Sequence, residues 1–408
     1  MPPEKTPQAP ASCAKCGACV PVCPLYGLFG RESFTARGKL HLLQKLPLSA
    51  AGSAYAGILS RCLLCGACSS VCPRGLDIPS LLSGARAELP PGLIASPPGA
   101  EILKFGMRHG TVARLVGGAA RGLLRLLPED SGLRLKLSLP ATDSADTGNT
   151  GRTLPPAPAS VSDTSKAVAL FEGCYARYLQ NEITEATGAL VSDRLHLEPY
   201  SPEGQKCCGL AFSSAGQRQQ ALELARSNIE AFAFSTGPIL VSCASCFSHL
   251  SSYPSLFVDD PDWHRKALDF ADRLQEFSSF FLNRHLTNQL ARTTRKTAVY
   301  FHDSCHLRFH SRITAPPRSL LRSIPSVRLV EPKEGYRCCG AGGLFQLYHP
   351  ESAGRLRSEL MQTIAAINVD QVLTTCSGCL LHLHQGAITH GLPVRVRHFA
   401  VFLADLFD

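Results

Sequence analysis

Two cysteine runs near the N-terminus constrain this chain more than any other feature. The first is Cys13-x2-Cys16-x2-Cys19-x3-Cys23 followed by Pro24, and the second is Cys62-x2-Cys65-x2-Cys68-x3-Cys72 followed by Pro73. Three cysteines at this spacing let one short loop wrap thiolates around three iron corners, while the fourth ligand comes from elsewhere in the chain. This is the spacing that holds [4Fe–4S] clusters, and where two such runs share a chain the fourth cysteine of each crosses to the other cluster. The reading assigns Cys13, Cys16, Cys19 and Cys72 to one cluster, and Cys62, Cys65, Cys68 and Cys23 to the other. With 18 cysteines and 29 prolines in 408 residues, chance supplies on the order of 10⁻⁴ such runs, and the chain has two. Zinc asks for two ligand pairs with tetrahedral closure, a pattern these runs do not have.

Length and composition narrow the class. A chain of 408 residues, 45% hydrophobic and 18% charged, has material for two or three ordinary globular domains. The opening residues Met1-Pro2-Pro3-Glu4-Lys5 form no apolar signal segment, and thiols kept for metal binding fit a reducing compartment. The expected location is cytoplasmic, with peripheral contact on the cytoplasmic face of the inner membrane left open. No run reaches the roughly 18 apolar residues that span a bilayer; the nearest, around Val112–Leu127, is broken by Arg114, Arg121 and Arg125. The formal charge of +9 counts cysteines as neutral, so cluster-bound thiolates make the balance less basic. Without a nucleic-acid motif or alternating aromatic and basic residues, nucleic acid is not an expected partner.

Taken in order, residues 1–12 are Pro-rich and expected to be disordered, and 13–95 form the two-cluster domain. The 38 residues between Cys23 and Cys62 are too many for tight hairpins. Leu40, Leu42, Leu43 and Leu46 mark a helix over 37–48 that Pro47 stops, and Ile78–Leu89 reads as a second helix starting at Asp77 or Pro79. Residues 96–139 are expected as a helical connector, with Lys104, Arg108, Arg114, Arg121, Arg125, Arg134 and Lys136 among leucines. A helix with one wet face packed on the core is favoured there over a membrane- or partner-binding surface. Residues 140–166, rich in Pro, Ser and Thr, read as a linker.

The remainder is an internal duplication, with expected domains at 167–290 and 291–408. Cys174, Cys207-Cys208-Gly209 and Cys243-x2-Cys246 recur as Cys305, Cys338-Cys339-Gly340 and Cys376-x2-Cys379. Apolar β-rich runs precede Cys174, Cys243, Cys305 and Cys376, and helical patterns fill 217–233 and 351–367. Strands alternating with helices predict a parallel sheet in each half, with its cysteines at the carboxyl ends of the strands. Metal or cluster ligation by these ten cysteines is favoured over disulfide exchange and over buried inert thiols, because the pattern repeats position by position. Five thiolates exceed what one cubane requires, which leaves open a bridging thiolate, an unusual cluster or a partly filled site. His302 and His306 beside Cys305, His249 after Cys246, and His382 and His384 after Cys379 are candidates for tuning such a centre.

Two cluster runs followed by two Cys-Cys-Gly domains resemble the iron–sulfur subunit of bacterial glycolate oxidase. Cys23-Pro24-Leu25-Tyr26, Ala36-Arg37-Gly38-Lys39 and Arg61-Cys62-Leu63 carry the resemblance, which covers about residues 10–405. The iron–sulfur subunit of anaerobic glycerol-3-phosphate dehydrogenase shares the architecture, and the Cys-Cys-Gly spacing is similar to that of the cysteine-rich subunit of heterodisulfide reductase. The resemblance implies an α+β multidomain chain: an N-terminal α-helical, ferredoxin-like two-cluster domain, then a duplicated α/β cysteine-rich domain with short parallel sheets. It implies a noncubane [4Fe–4S] cluster on Cys174, Cys207, Cys208, Cys243 and Cys246, and another on Cys305, Cys338, Cys339, Cys376 and Cys379. It also implies FAD-binding partner subunits that oxidise glycolate to glyoxylate, with electrons passing through this chain to a quinone or other acceptor. Iron–sulfur subunits of other flavin dehydrogenases (glycerol-3-phosphate, lactate) and a disulfide- or quinone-reducing enzyme are the alternatives. Gly340-Ala341-Gly342-Gly343 lacks the Gly-x-Gly-x-x-Gly form, so the residues themselves provide no flavin or nicotinamide fingerprint and place carbon chemistry outside the chain.

Overall fold

The computed structural model describes residues 13–108, 154–155, 166–286 and 296–407. The N-terminal arm 1–12, the connector beyond 108 and nearly all of the Pro/Ser/Thr-rich linker lie outside these residues, as do Arg114, Arg121, Arg125, Arg134 and Lys136.

Every regular element of the N-terminal part is a helix, with the cysteine loops between them. Thr35 starts the Ala36–Lys45 helix by accepting the Gly38 N–H at 3.1 Å, and the helix ends two residues before Pro47. Gly38 has no alternative here, since a Cβ would lie 2.2 Å from the Glu32 carbonyl oxygen. Asp77 caps the Ile78–Ala87 helix through Ser80 N–H, with Pro79 in the first turn where its missing donor costs nothing. Leu40, Tyr55, Ala56, Leu59, Ile78 and Leu82 bury the facing sides of these helices and of Ser53–Ser60. The Pro98–Arg108 helix departs from the expected wet basic face. It buries Lys104, whose ammonium meets Glu101 and Ser96, and exposes Ile102, Leu103 and Phe105.

The two C-terminal parts repeat one topology. The first sheet contains β1 (Ala167–Phe171), β2 (Glu198–Tyr200), β3 (Ile239–Val241) and β4 (Leu274–Glu276) in the order β2-β1-β3-β4. The second contains β5 (Thr297–Phe301), β6 (Val327–Leu329), β7 (Gln371–Thr374) and β8 (Arg395–His398) in the order β6-β5-β7-β8. Every pairing is parallel. Strands such as Ala167–Phe171 and Ile239–Val241 are buried at every residue because helices cover both faces, which is why they read as unbroken apolar runs. The helices expected over 217–233 and 351–367 are Arg218–Ala231 and Pro350–Ile367.

The two repeats share one continuous core. Val168, Leu170 and Leu240 of the first pack with Val299, Phe301, Val372 and Leu373 of the second, and Phe277, Phe281 and Phe399 close the seam edge to face. A smaller cluster of Leu25, Leu28, Phe34, Leu63, Phe345 and Leu356 fastens the helical part to the second repeat. The helical part therefore has its own apolar joint with the second repeat.

Candidate metal centres

The eight N-terminal cysteines fall around two clefts. One, of about 370 Å³, is lined by Cys13, Cys16, Cys19 and Cys72. The other, of about 430 Å³, is lined by Cys23, Cys62, Cys65 and Cys68. Ile78 and Ala36 stand in both walls. The loops are built alike: Lys15 and Leu64, each just before the middle cysteine, and Gly17 and Gly66, each just after it, all have positive φ. A left-handed turn at a lysine or leucine costs free energy that glycine does not, and both loops carry it at the same place. The winding curls the backbone around its cysteines.

Electrostatics separates the two clefts. Burial raises the thiols of Cys19, Cys23, Cys65 and Cys68 above their ordinary value, so bare protein favours the protonated form there. A bound metal takes thiolates and reverses that preference. One helix supplies a cation to each cleft. Arg37 lines the first, partly exposed and paired with Glu32 at 2.6 Å. Lys39 is wholly buried beside Cys62, Cys23 and Cys68, and its ammonium donates to the Phe34 carbonyl. In the sequence Lys39 stands only as part of a motif; nothing in the local pattern marks its burial.

In the repeats, Cys174, Cys243, Cys305 and Cys376 follow the carboxyl ends of the central strands β1, β3, β5 and β7, as expected, and the Cys-Cys-Gly turns come in from beyond the edge strands β2 and β6. Cys174, Cys207, Cys208, Cys246 and Cys243 form an unbroken chain of thiol–thiol contacts. Hydrogen bonds from neighbouring thiols push Cys207 and Cys243 well below the ordinary thiol value, while Cys174, Cys208 and Cys246 are pushed up. In the second repeat Cys339 lies 3.2 Å from Cys379, which also meets Cys376. Burial raises Cys305 and takes Cys338 up to about 12. Gly209 and Gly340 hold the same left-handed turn after their cysteine pairs, at φ 88° and 84°. At Gly340 a Cβ would lie 2.5 Å from the Ala353 carbonyl oxygen.

The histidines divide. His249 and His382 occupy the same repeat position, three residues after the last cysteine; both are buried, and His382 Nδ1 meets the Cys339 carbonyl at 2.7 Å. The shared Cys-x2-Cys-x2-His spacing was the signal for that equivalence. His302 is fully buried beside Cys339 and Cys379. His306 Nδ1 lies 3.6 Å from the Cys305 sulfur and its ring stacks on His310. His384 lies two residues beyond His382 on the same helix, a separation that turns it to another face. His310, which no sequence motif marks, reaches the Leu64 carbonyl at 3.0 Å and so touches the second cysteine loop.

The four groups are contiguous. Cys68 of the second cleft feels Cys19 of the first, and Cys65 feels Cys338 and is felt by Cys305. Across the seam between repeats, Cys243 hydrogen-bonds Cys376, the Ser377 N–H points at the Cys243 sulfur at 3.5 Å, and the Ala244 N–H meets the Thr375 carbonyl at 2.9 Å. In the order of the cysteine groups the second repeat's thus stands between those of the helical part and those of the first repeat, while Ser83 and Arg86 join the helical part directly to the first repeat at the Ser213 and Ser214 carbonyls.

This is the construction of an iron–sulfur protein that joins a two-cluster domain to paired cysteine-rich domains. The family models agree. Residues 10–76 match the 4Fe-4S dicluster domain, and residues 168–251 and 299–384 each match the cysteine-rich domain. The chain belongs to the proteins built from these domains, and [4Fe–4S] clusters are its cofactors. It is similar to the probable glycolate oxidase iron-sulfur subunit of Bacillus subtilis, 30% identical over 286 residues, covering 70% of this chain and 63% of that relative. It is also similar to lactate utilization protein A of Bacillus licheniformis, 29% identical over 236 residues (58% of this chain, 98% of the relative). The protein of that name from Shouchella clausii is 30% identical over 202 residues, covering 50% and 84%. Among the described residues no helix is long and apolar enough to cross a membrane.

Proposed function

We propose that this chain is the iron–sulfur electron-transfer subunit of a flavin-linked dehydrogenase complex that oxidises a 2-hydroxy acid. Glycolate is the first candidate substrate and lactate the second, following the names of the relatives. The observation that carries the reading is the unbroken neighbour series from Cys19 and Cys68 through Cys65 and Cys338 to Cys376 and Cys243. A chain that did carbon chemistry itself has no need of four linked sulfur sites.

Cys13, Cys16, Cys19 and Cys72 would hold one [4Fe–4S] cluster, and Cys62, Cys65, Cys68 and Cys23 the other. Each repeat's five cysteines would hold a further centre. Such centres, when bound, carry single electrons and so divide the two-electron output of a flavin. The protein's own part is to space and insulate. Cys16 is the exposed member of its group and presents the first site to an FAD-binding partner. Ile78, Leu82, Phe34 and Pro79 keep the second site apolar. The seam at Cys243 and Cys376 leads to the first repeat, from which a quinone or other acceptor takes the charge. The expected setting is the cytoplasm or the cytoplasmic face of the inner membrane.

The test is anaerobic purification with the flavoprotein partner, followed by iron counting and electron paramagnetic resonance. Filled dicluster sites give about eight irons per chain, and filled repeats raise this to roughly sixteen. Cys16→Ala should erase one cluster signal and stop transfer from glycolate-reduced flavin, leaving the repeats folded. Full transfer with an intact spectrum would sink the proposal.

A further inference from the structure

The two repeats carry matching sets of five cysteines, but one neighbouring position differs in kind. Counting back three residues from Cys174 gives Phe171; counting back three from Cys305 gives His302. Both side chains are buried at the carboxyl end of the central strand, Phe171 at 1% exposure and His302 at 0%. The His302 backbone N–H is bound to the Leu373 carbonyl at 2.7 Å, and Tyr336 and Tyr300 flank the ring, so its position is set by the sheet.

Neither ring nitrogen of His302 has a hydrogen-bond partner of normal geometry. The ring's polar contact is instead with the Cys339 sulfur, and a buried imidazole with no ordinary hydrogen bond calls for a partner not made of protein. The neighbours identify that partner's chemistry. A ring nitrogen of His302, the Cys339 sulfur and the Cys379 sulfur all lie within 4.8 Å of one another, and all three residues are buried. Imidazole and thiolate together suit iron or zinc, and the edges of a tetrahedral site of that kind are on the order of 3.5 Å. Only a small contraction closes these three donors on one ion. At the matching position of the first repeat, a phenyl ring offers no lone pair.

We infer that His302 is a nitrogen ligand of the metal centre in the second repeat, which makes that centre mixed nitrogen–sulfur while its counterpart in the first repeat is all-sulfur. The inference rests on the reading that the repeats hold iron centres. Replacing a sulfur ligand by imidazole raises the potential of an iron–sulfur centre. Imidazole ligation thus gives the second repeat's centre a higher potential than its own all-sulfur form would have.

The test needs no variant in its first arm. Full-length protein is grown with ¹⁵N-histidine, its iron is counted, and the paramagnetic signals beyond those of the dicluster domain are examined by electron–nuclear double resonance. A bound imidazole gives strong ¹⁵N coupling on one signal; a histidine that only hydrogen-bonds a sulfur gives weak coupling. His302→Phe, which installs the residue the first repeat already has, should remove the strong coupling and lower the potential of that centre alone. Iron near sixteen per chain with weak coupling only would overturn the ligand assignment. Iron near eight would instead sink the reading of the repeats as cluster sites, and this inference with it.

Discussion

Arg86 offers the sharpest test of how the dicluster domain is held in place. Its guanidinium donates to the Leu59 carbonyl at 3.1 and 2.9 Å, to Ser60 at 3.0 Å, to Cys62 at 2.8 Å and to Ser214 of the first repeat at 2.7 Å. One side chain thus ties the end of the Ser53–Ser60 helix, the first cysteine of the second run and the end of the Leu210–Ser214 helix, 128 residues away. Hydrogen bonds to a charged group each contribute about 1.5–3 kcal/mol, and a carbonyl left unanswered costs about 1–3. The site is half-buried, so water will answer some carbonyls, and contributions in one network do not add. Arg86→Met, which keeps the stem and removes the fork, should therefore cost about 3–5 kcal/mol locally. Unfolding of a multidomain chain is not two-state, so the appropriate assay is hydrogen–deuterium exchange over residues 57–68. Exchange there should speed by at least about a hundredfold, the factor equivalent to roughly 3 kcal/mol. Arg86→Lys should fall between, since an ammonium cannot span four carbonyls in a plane. A change worth under about 1 kcal/mol in Arg86→Met would refute the argument.

Two further outcomes follow from buried charge. Lys39→Met removes a cation from beside Cys62, Cys23 and Cys68, and should lower the potential of that cluster on the order of 100 mV in a redox titration, leaving the Cys13-containing cluster unmoved; equal shifts in both would show a global disturbance instead. His349, whose Nε2 lies 3.0 Å from the Ser60 hydroxyl, is pushed down to about 4 by burial and by the Arg61 and Arg86 guanidiniums. The unfolded chain takes up this proton below about pH 6.5 while the native one does not, so the contribution is full above that pH and is lost as pH falls towards 4. Exchange protection around Ser60 and His349 should thus fall less between pH 7 and pH 5 in His349→Gln than in wild type, once corrected for the intrinsic pH dependence of exchange, and equal falls would contradict the sign.

Much of the fold was legible because it rests on local pattern. Closely spaced cysteines define each N-terminal loop, and offsets of 131 to 133 residues expose the duplication without any structure. Helix limits were less exact. The Ala36–Lys45 helix starts at Thr35 because that hydroxyl caps it, and ends before the leucine pattern does. What could not be read was contact between distant segments. Lys39 looks like one more polar residue on an amphipathic helix until Phe34 and the cysteines close over it. Arg86 and His310 have no motif at all; each acquires its role from a segment more than a hundred residues away. Whether a buried cation or a bridging histidine exists depends on docking, and docking leaves no periodicity behind.

Duplication itself hides a further difference, because equal ligand sets suggest equal roles. The sheets have the same order, and Glu276 and His398 even cap the same helix in each, from strand ends that are both 2% exposed. Yet the cysteine loop at Cys65 meets the second repeat: a Cβ on Gly342 would meet Leu63 at 2.6 Å, His310 holds Leu64, and Cys338 faces Cys65. The helical part reaches the first repeat too, through Ser83 and Arg86 on the Ser213 and Ser214 carbonyls, but there by the Ile78–Ala87 helix and not by a cysteine loop. The first repeat joins this series of cysteines through Cys243, which bonds Cys376 of the second. Changes around its cysteines should consequently affect release of charge and leave loading untouched, whereas changes at Cys338 or Cys305 should affect both.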